Sequence, residues 1–184
     1  MISQRFGRRM SALLLLAVSA TGTANAATQG NLGATSTGSV VINASVPSRV
    51  MISGLSDVSF LNQDPTVAAS NAQNVCVWSN TATKGYKLTA TGDGTGTSFK
   101  LKSGALTEIP YSVQWAATTG QTTGSALTSG TQVAGLTSTA TKSDCSSGPA
   151  KTASLIVGIT AANLQDMQAG PTYTGLLTLV VAPE

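Results

Sequence analysis

Apolar and polar residues alternate with a period of two along much of the chain. The alternation is clearest over residues 109–115, 153–159 and 173–181. A half-buried β-strand has this period, because successive side chains point to opposite faces of the sheet. Shorter runs of the same kind lie at residues 50–52, 58–60, 75–78, 86–90, 99–101 and 132–136. The pattern predicts about nine or ten strands.

Turn-forming residues separate these runs at the spacing that is typical of a β-sandwich, for example at residues 92–96 and 147–149. Residues 161–167 predict one short helix, for which Thr160 is the expected N-cap. Residues 118–141 are rich in Thr, Ser and Gly, so we expect a long loop or a weak edge hairpin outside the core there. The fold class predicted from the sequence is therefore an all-β sandwich.

The first residues have the composition of a secretory signal. Arg5, Arg8 and Arg9 precede the apolar run 13–18, and small residues follow at 24–26. That run is far shorter than the ~20 residues that span a bilayer. We expect a signal peptide at 1–26, a polar leader and N-terminal strand at 27–47 and a β-sandwich domain at 48–184, all exported from the cytoplasm.

The charge balance changes when the signal is set aside. The chain has ten basic and seven acidic residues, and three of the basic ones lie in the predicted signal. The remaining seven cations are scattered and balanced by the seven anions. Such a surface cannot neutralise a run of phosphates, which argues against nucleic acid as a partner.

Two cysteines, Cys76 and Cys145, both follow the predicted signal. In an oxidising compartment an even pair most simply forms one disulfide bond. Such a bond would close a loop of about 70 residues, worth roughly 4 kcal/mol by the chain-entropy estimate. A metal site and a catalytic thiol are the alternatives. Both are poorly supported, since the chain has no histidine.

Candidate catalytic chemistry is sparse. Without histidine, Ser-His-Asp and Cys-His arrangements are excluded, and only a pair of carboxylates remains as a general acid and base. The candidates are Asp57, Asp64, Asp93, Glu108, Asp144 and Asp166, nearly all beside turn-forming residues. Solvated acids in turns explain them better. We expect no cofactor, no metal and no enzymatic activity.

The two ends of the predicted mature chain are the most informative parts. In residues 39–46, here called the N-terminal apolar segment, Val40, Ile42, Ala44 and Val46 share one face. A strand at a free end can pair with another chain as readily as with its own sheet. The last predicted strand finishes three residues before Glu184, so we expect its sheet to be left open.

Together these features resemble the subunits of chaperone-usher pili. The N-terminal apolar segment, Ile109-Pro-Tyr-Ser-Val-Gln-Trp115 and Ala169-Gly-Pro-Thr-Tyr-Thr-Gly-Leu-Leu-Thr-Leu-Val-Val181 are similar to the alpha-type, CFA/I-like major fimbrial subunits. A more distant similarity is to the archaic spore-coat-U-like pilins. The two cysteines and the long polar leader depart from the alpha-type pattern.

The resemblance implies an incomplete immunoglobulin-like sandwich whose groove is filled first by a periplasmic chaperone and then by the N-terminal strand of the next subunit. The donor side chains would be Val40, Ile42, Ala44 and Val46. Leu177, Leu179 and Val181 would line part of the acceptor groove. The implied partners are further copies of the chain, an outer-membrane usher, a tip adhesin and a host surface receptor. The implied location is a fimbria on the cell surface.

Three other interpretations remain open on the sequence. Residues 40–46 can be the first strand of a complete sandwich, which would make the protein a self-contained adhesin or carbohydrate-binding module. A secreted hydrolase acting through two carboxylates is the third function class. An intramolecular Lys–Asn amide link, as in some other pilins, is also compatible with the composition.

Overall fold

The computed structural model describes residues 26–184, so the predicted signal peptide lies outside the described residues except for Ala26. The chain divides into two compact units, one ending at Ser45 and one comprising Val46–Glu184. The elements of the second unit are β1 (Val50–Ser53), β2 (Ala69–Ser79), β3 (Gly85–Gly92), a 3-10 turn (Thr95–Thr97), β4 (Lys100–Leu101), β5 (Ile109–Pro110), β6 (Ser112–Ala116), β7 (Ser125–Ala126), β8 (Gln132–Thr137), β9 (Ala153–Ile159), α1 (Ala161–Gln165) and β10 (Leu177–Pro183).

Two antiparallel sheets enclose the core. The larger has the order β1-β2-β9-β6-β7 and the smaller the order β10-β3-β8, while β4 and β5 form a separate pair. Val77, Val113 and Leu155 of the larger sheet meet Tyr86 and Leu88 of the smaller one, and all five are buried. The prediction of an all-β sandwich is therefore confirmed.

Alternation in β6 shows how the sequence produces this core. Val113 and Trp115 are buried, whereas Ser112, Gln114 and Ala116 alternate with them and are more exposed. The indole Nε1 of Trp115 donates a hydrogen bond of 3.1 Å to Tyr86 Oη on the facing sheet. The buried indole N–H thus has an acceptor, as buried polar groups must.

Two segments that were predicted as strands do not have strand backbone over their whole predicted length. Residues 58–60 lie in an irregular segment between β1 and β2, and β10 begins at Leu177 rather than Tyr173. Val58, Phe60 and Tyr173 nevertheless pack against the core. Period-two alternation correctly identified the buried side, but a strand also requires a neighbour with which to pair.

The Thr-rich region 118–141 is more ordered than the sequence predicted. It contributes β7 to the larger sheet and β8 to the smaller one, so these strands do not form a hairpin with each other. Leu127 is buried, and Val133 and Leu136 pack against the core. The expectation of a loop outside the core was therefore wrong for this part of the chain.

The predicted helix is confirmed as α1. Thr160 is its N-cap, and the Thr160 hydroxyl accepts a hydrogen bond of 3.2 Å from Asn163 N–H. Among residues 26–184, no helix is both long and apolar enough to span a membrane.

A disulfide bond joins Cys76 to Cys145, with the two Cα atoms 6.2 Å apart. It forms a small second cluster with Ala140 and Trp78, apart from the main core. Nearby, Thr152 Oγ1 accepts a hydrogen bond of 2.9 Å from Val77 N and donates one of 3.0 Å to Val77 O. The bridge and these hydrogen bonds fasten the segment between β8 and β9 onto β2.

Candidate functional site: an exposed apolar segment and an open groove

The N-terminal apolar segment is exposed. Val40 is 70% accessible, Ile42 86% and Val46 81%, and Ala44 is exposed as well. Thr28 and Ser39 exchange two backbone hydrogen bonds of 2.9 Å, which close the polar leader into a hairpin-like turn. Residues 40–49 belong to no strand of the described chain, whose first strand is β1. The interpretation in which residues 40–46 are the first strand of a complete sandwich is therefore not what the structure has.

A groove with a volume of about 910 Å³ opens in the sandwich unit beside β10. Residues 55–63 and Pro65, which follow β1, form one wall, and residues 167–177 with Leu179 form the other. Leu155, Val157 and Ile159 of β9 lie at its base, so the groove reaches the hydrophobic core.

The wall formed by β10 presents a long, regular strand edge. On one side β10 pairs with β3 over all seven of its residues, from Leu177 opposite Gly92 to Pro183 opposite Tyr86. β10 is the end strand of its sheet, so its other edge pairs with no strand of the described chain. A free edge of this length is a template for another strand.

Leu177, Leu179 and Val181 share the core-facing side of this strand, as the alternation predicted. All three are only half-buried. Leu177 and Leu179 line the groove, whereas Val181 packs against the core beside it. The incomplete burial shows that the domain itself covers this row of side chains only in part.

A side chain of β2 attaches the opposite wall to the larger sheet. Gln73 of β2 accepts a hydrogen bond of 2.8 Å from Ser56 N–H through Oε1 and donates one of 3.0 Å to Ser56 O through Nε2. These two bonds engage the backbone N–H and C=O of Ser56 as a residue on a paired strand would. Leu55 and Leu61 remain exposed on the same wall.

Asp93 fixes the end of the groove at which β10 begins. Its Oδ1 accepts a hydrogen bond of 2.8 Å from Leu176 N–H, and Lys102 Nζ lies 2.9 Å from its Oδ2. The hydrogen bond from Leu176 and then the one from Lys102 hold the pKa of Asp93 below its usual value. Asp93 is thus a structural group here rather than a proton donor.

Tyr111 was not recognised from the sequence as a site residue, although it stands in the alternating run 109–115. It lines the groove, and its hydroxyl is the one buried side-chain polar atom of the described residues that has no hydrogen-bond partner. Burial, together with the nearby charge of Asp93, raises the pKa of Tyr111 to about 12. The hydroxyl therefore stays neutral at physiological pH.

Three of the other candidate acids accept hydrogen bonds, two of them within local turns and the third, Glu108, from a residue thirteen positions away. Asp64 accepts hydrogen bonds from Thr66, Asp144 accepts one from Ser146, and Glu108 accepts bonds from Thr95. These hydrogen bonds lower the pKa of all three carboxyl groups. A glycosidase general acid needs the opposite shift. Within residues 26–184, no group of three potential metal ligands comes together.

No protein-family model matches the chain, and no curated protein is significantly similar to it. We therefore infer its function from the N-terminal apolar segment and the groove.

Proposed function

We propose that this chain is the structural subunit of a secreted surface fibre. Each copy would polymerise by inserting its N-terminal apolar segment into the groove beside β10 of the next copy. The observation that carries the proposal is that one chain contains both an exposed apolar segment and an open apolar groove along a free strand edge.

The segment and the groove are chemically complementary. A strand inserted at the free edge of β10 would complete backbone hydrogen bonds in the manner of β-augmentation. Its inward side chains Val40, Ile42 and Val46 would cover the half-buried Leu177 and Leu179. Burial of such side chains contributes roughly 1–2.5 kcal/mol each, so the association would be strong.

The same geometry accounts for a fibre rather than a closed dimer. The segment and the groove are two different surfaces, so each copy offers one surface of each kind. Such a heterologous contact leaves an unused segment at one end and an unused groove at the other, and it propagates unless the rotation closes a ring.

Further partners follow from this assembly and from the resemblance to chaperone-usher pilins. An exposed apolar groove requires cover before assembly, because large apolar patches promote aggregation. We propose a periplasmic chaperone for that role, an outer-membrane usher for export, and a tip adhesin and a host receptor at the cell surface. Adhesion or biofilm formation, rather than catalysis, is the proposed task.

The decisive experiment uses the full mature chain with Ile42→Asp, which keeps its groove but cannot donate its own segment. We expect wild type to form fibres and the variant to remain monomeric. A synthetic peptide spanning residues 38–47 should then raise the melting temperature of the variant by many degrees. At a hundred times its Kd, a ligand that binds only the folded state adds about 2.7 kcal/mol of stability.

Val41→Asp is the matched control, since Val41 is also exposed but points to the other side of the alternation. Chains and peptides carrying this change should still assemble and bind. If the Ile42→Asp chain is stable as a monomer and its melting temperature is unaffected by the wild-type peptide, the proposal is wrong. A self-contained binding module would then be the interpretation to pursue.

A further inference from the structure

Three residues, Pro47, Ser48 and Arg49, separate the N-terminal apolar segment from β1. Fully extended, they span at most about 10 Å. If the segment is inserted into another copy, as proposed above, this short stretch is the covalent joint between two successive domains. Its conformation then decides the angle at which they meet.

Asn80 holds this joint with three hydrogen bonds. Its Nδ2 donates to Pro47 O at 2.9 Å, and its Oδ1 accepts from Arg49 N at 2.6 Å. Its backbone N–H donates to Arg49 O at 3.1 Å. Because Asn80 directly follows β2, it ties both ends of the joint to the rigid larger sheet.

The joint has little freedom of its own. The ring of Pro47 fixes its φ angle, and the proline also restricts Val46, the residue before it, to extended conformations. The carbonyl of Pro47 and both backbone polar groups of Arg49 are bound by Asn80. Ser48 is the one residue of the joint that Asn80 does not bind directly, and its neighbours Pro47 and Arg49 are both held.

We propose that Asn80 is a positioning residue that sets the angle and the stiffness of the joint between successive copies in the fibre. The inference depends on the proposed function, because the joint lies between domains only when the segment is inserted elsewhere. Asn80 does not line the groove, so it should act on the shape of the fibre and not on the affinity of insertion.

The test compares fibres of wild type, Asn80→Ala and Asn80→Asp by electron microscopy. Asn80→Ala removes both side-chain hydrogen bonds, and Asn80→Asp keeps the acceptor for Arg49 N but loses the donor to Pro47 O. We expect a severalfold shorter persistence length and a broader distribution of angles between neighbours for Asn80→Ala. Asn80→Asp should lie between it and wild type. Ser48→Ala is the control and should resemble wild type.

Peptide binding separates this inference from the proposed function. Placed in the Ile42→Asp chain, Asn80→Ala should leave the affinity for the 38–47 peptide unchanged. If no chain binds the peptide, the proposed function itself fails. If the peptide binds but the fibres of both variants have the wild-type angle distribution and stiffness, the role of Asn80 is refuted. It is refuted equally if both variants bind the peptide yet do not assemble, since Asn80 would then be needed for assembly rather than for its angle.

Discussion

The two open sides of the sandwich differ in the length and regularity of their edge strands. On one side stands β10, seven residues long and paired with β3 in unbroken register. On the other side stand β7, with two residues, and β8, whose register with β3 shifts between Tyr86 and Leu88. Gly135 in β8 has a φ of +72°, a left-handed conformation that lies at this register shift and makes the strand irregular.

Cavities lie on both sides, so the presence of an apolar depression does not distinguish them. The cavity beside β7 and β8 has a volume of about 440 Å³ and is lined by Trp115, Leu127, Val133 and Leu136. The groove beside β10 is about twice as large. The more instructive difference is the backbone, since short, irregular edges pair poorly with a new strand and long, regular ones pair well.

The largest expected effect on peptide binding comes from a charge placed in the groove. Leu179→Asp should lower the affinity for the 38–47 peptide by roughly a hundredfold or more, because an inserted strand would bury an unpaired carboxylate. Ala134→Asp, at an exposed position of β8, is the control and should bind normally. Calorimetric titration of the Ile42→Asp chain measures both. Equal loss in the two variants would show that the two sides are not functionally different.

The disulfide bond should contribute to stability but should not affect peptide binding at the groove beside β10. Replacement of Cys76 and Cys145 by serine should lower the free energy of unfolding by roughly 4 kcal/mol, by the chain-entropy estimate for a loop of this length. Urea denaturation measures the loss. The fraction that stays folded should bind the peptide as wild type does. A weaker affinity would mean that the bridge shapes the groove.

A change in the core, away from the groove, should destabilise the fold without weakening peptide binding. Tyr86→Phe leaves the buried Nε1 of Trp115 without its acceptor, which should cost about 1–3 kcal/mol in the free energy of unfolding. Tyr86 does not line the groove, so peptide affinity should not change. Chemical denaturation measures the free energy of unfolding, and calorimetric titration of the same preparation measures the peptide affinity. A loss of affinity without a loss of stability would contradict the assignment.

The smallest effect is expected from acid at the start of β10. The pKa of Asp93 is lowered in the folded state, so its contribution is present above its ordinary pKa and is lost as pH falls through the folded value. We expect stability to decline below about pH 4, by at most about 1 kcal/mol from this exposed carboxylate, as its hydrogen bond from Leu176 and then its contact with Lys102 are lost. Asp93→Asn should remove that part of the decline. An unchanged acid profile in the variant would show that Asp93 is not coupled to folding.

The burial pattern was predictable from the sequence, whereas strand pairing was not. Alternation placed Leu88, Val113 and Leu155 in the core. It could do so because alternation is visible in the polarity of successive residues and requires no knowledge of the neighbouring strands. The same rule failed for the backbone of residues 58–60, since no strand lies beside them to pair with. It also missed Leu127, which stands in a Thr-rich region where burial depends on distant partners.

The candidate site divides in the same way. The sequence identified the N-terminal apolar segment and the row Leu177, Leu179 and Val181, because alternation marks both. It did not reveal Tyr111, whose hydroxyl lacks a partner, or Asn80, whose three hydrogen bonds join residues more than thirty positions apart. Such relations arise when separate segments meet, and no local pattern records them.

By itself, the sequence determined the all-β class, the pairing of its two cysteines and the apolar faces of its strands, because these follow from composition and from short-range periodicity. Only the tertiary structure decided which strand edge stays open, how large the groove beside it is and which residues surround it. Those properties depend on the order of strands in the sheets, and that order is set by contacts between residues far apart in the chain.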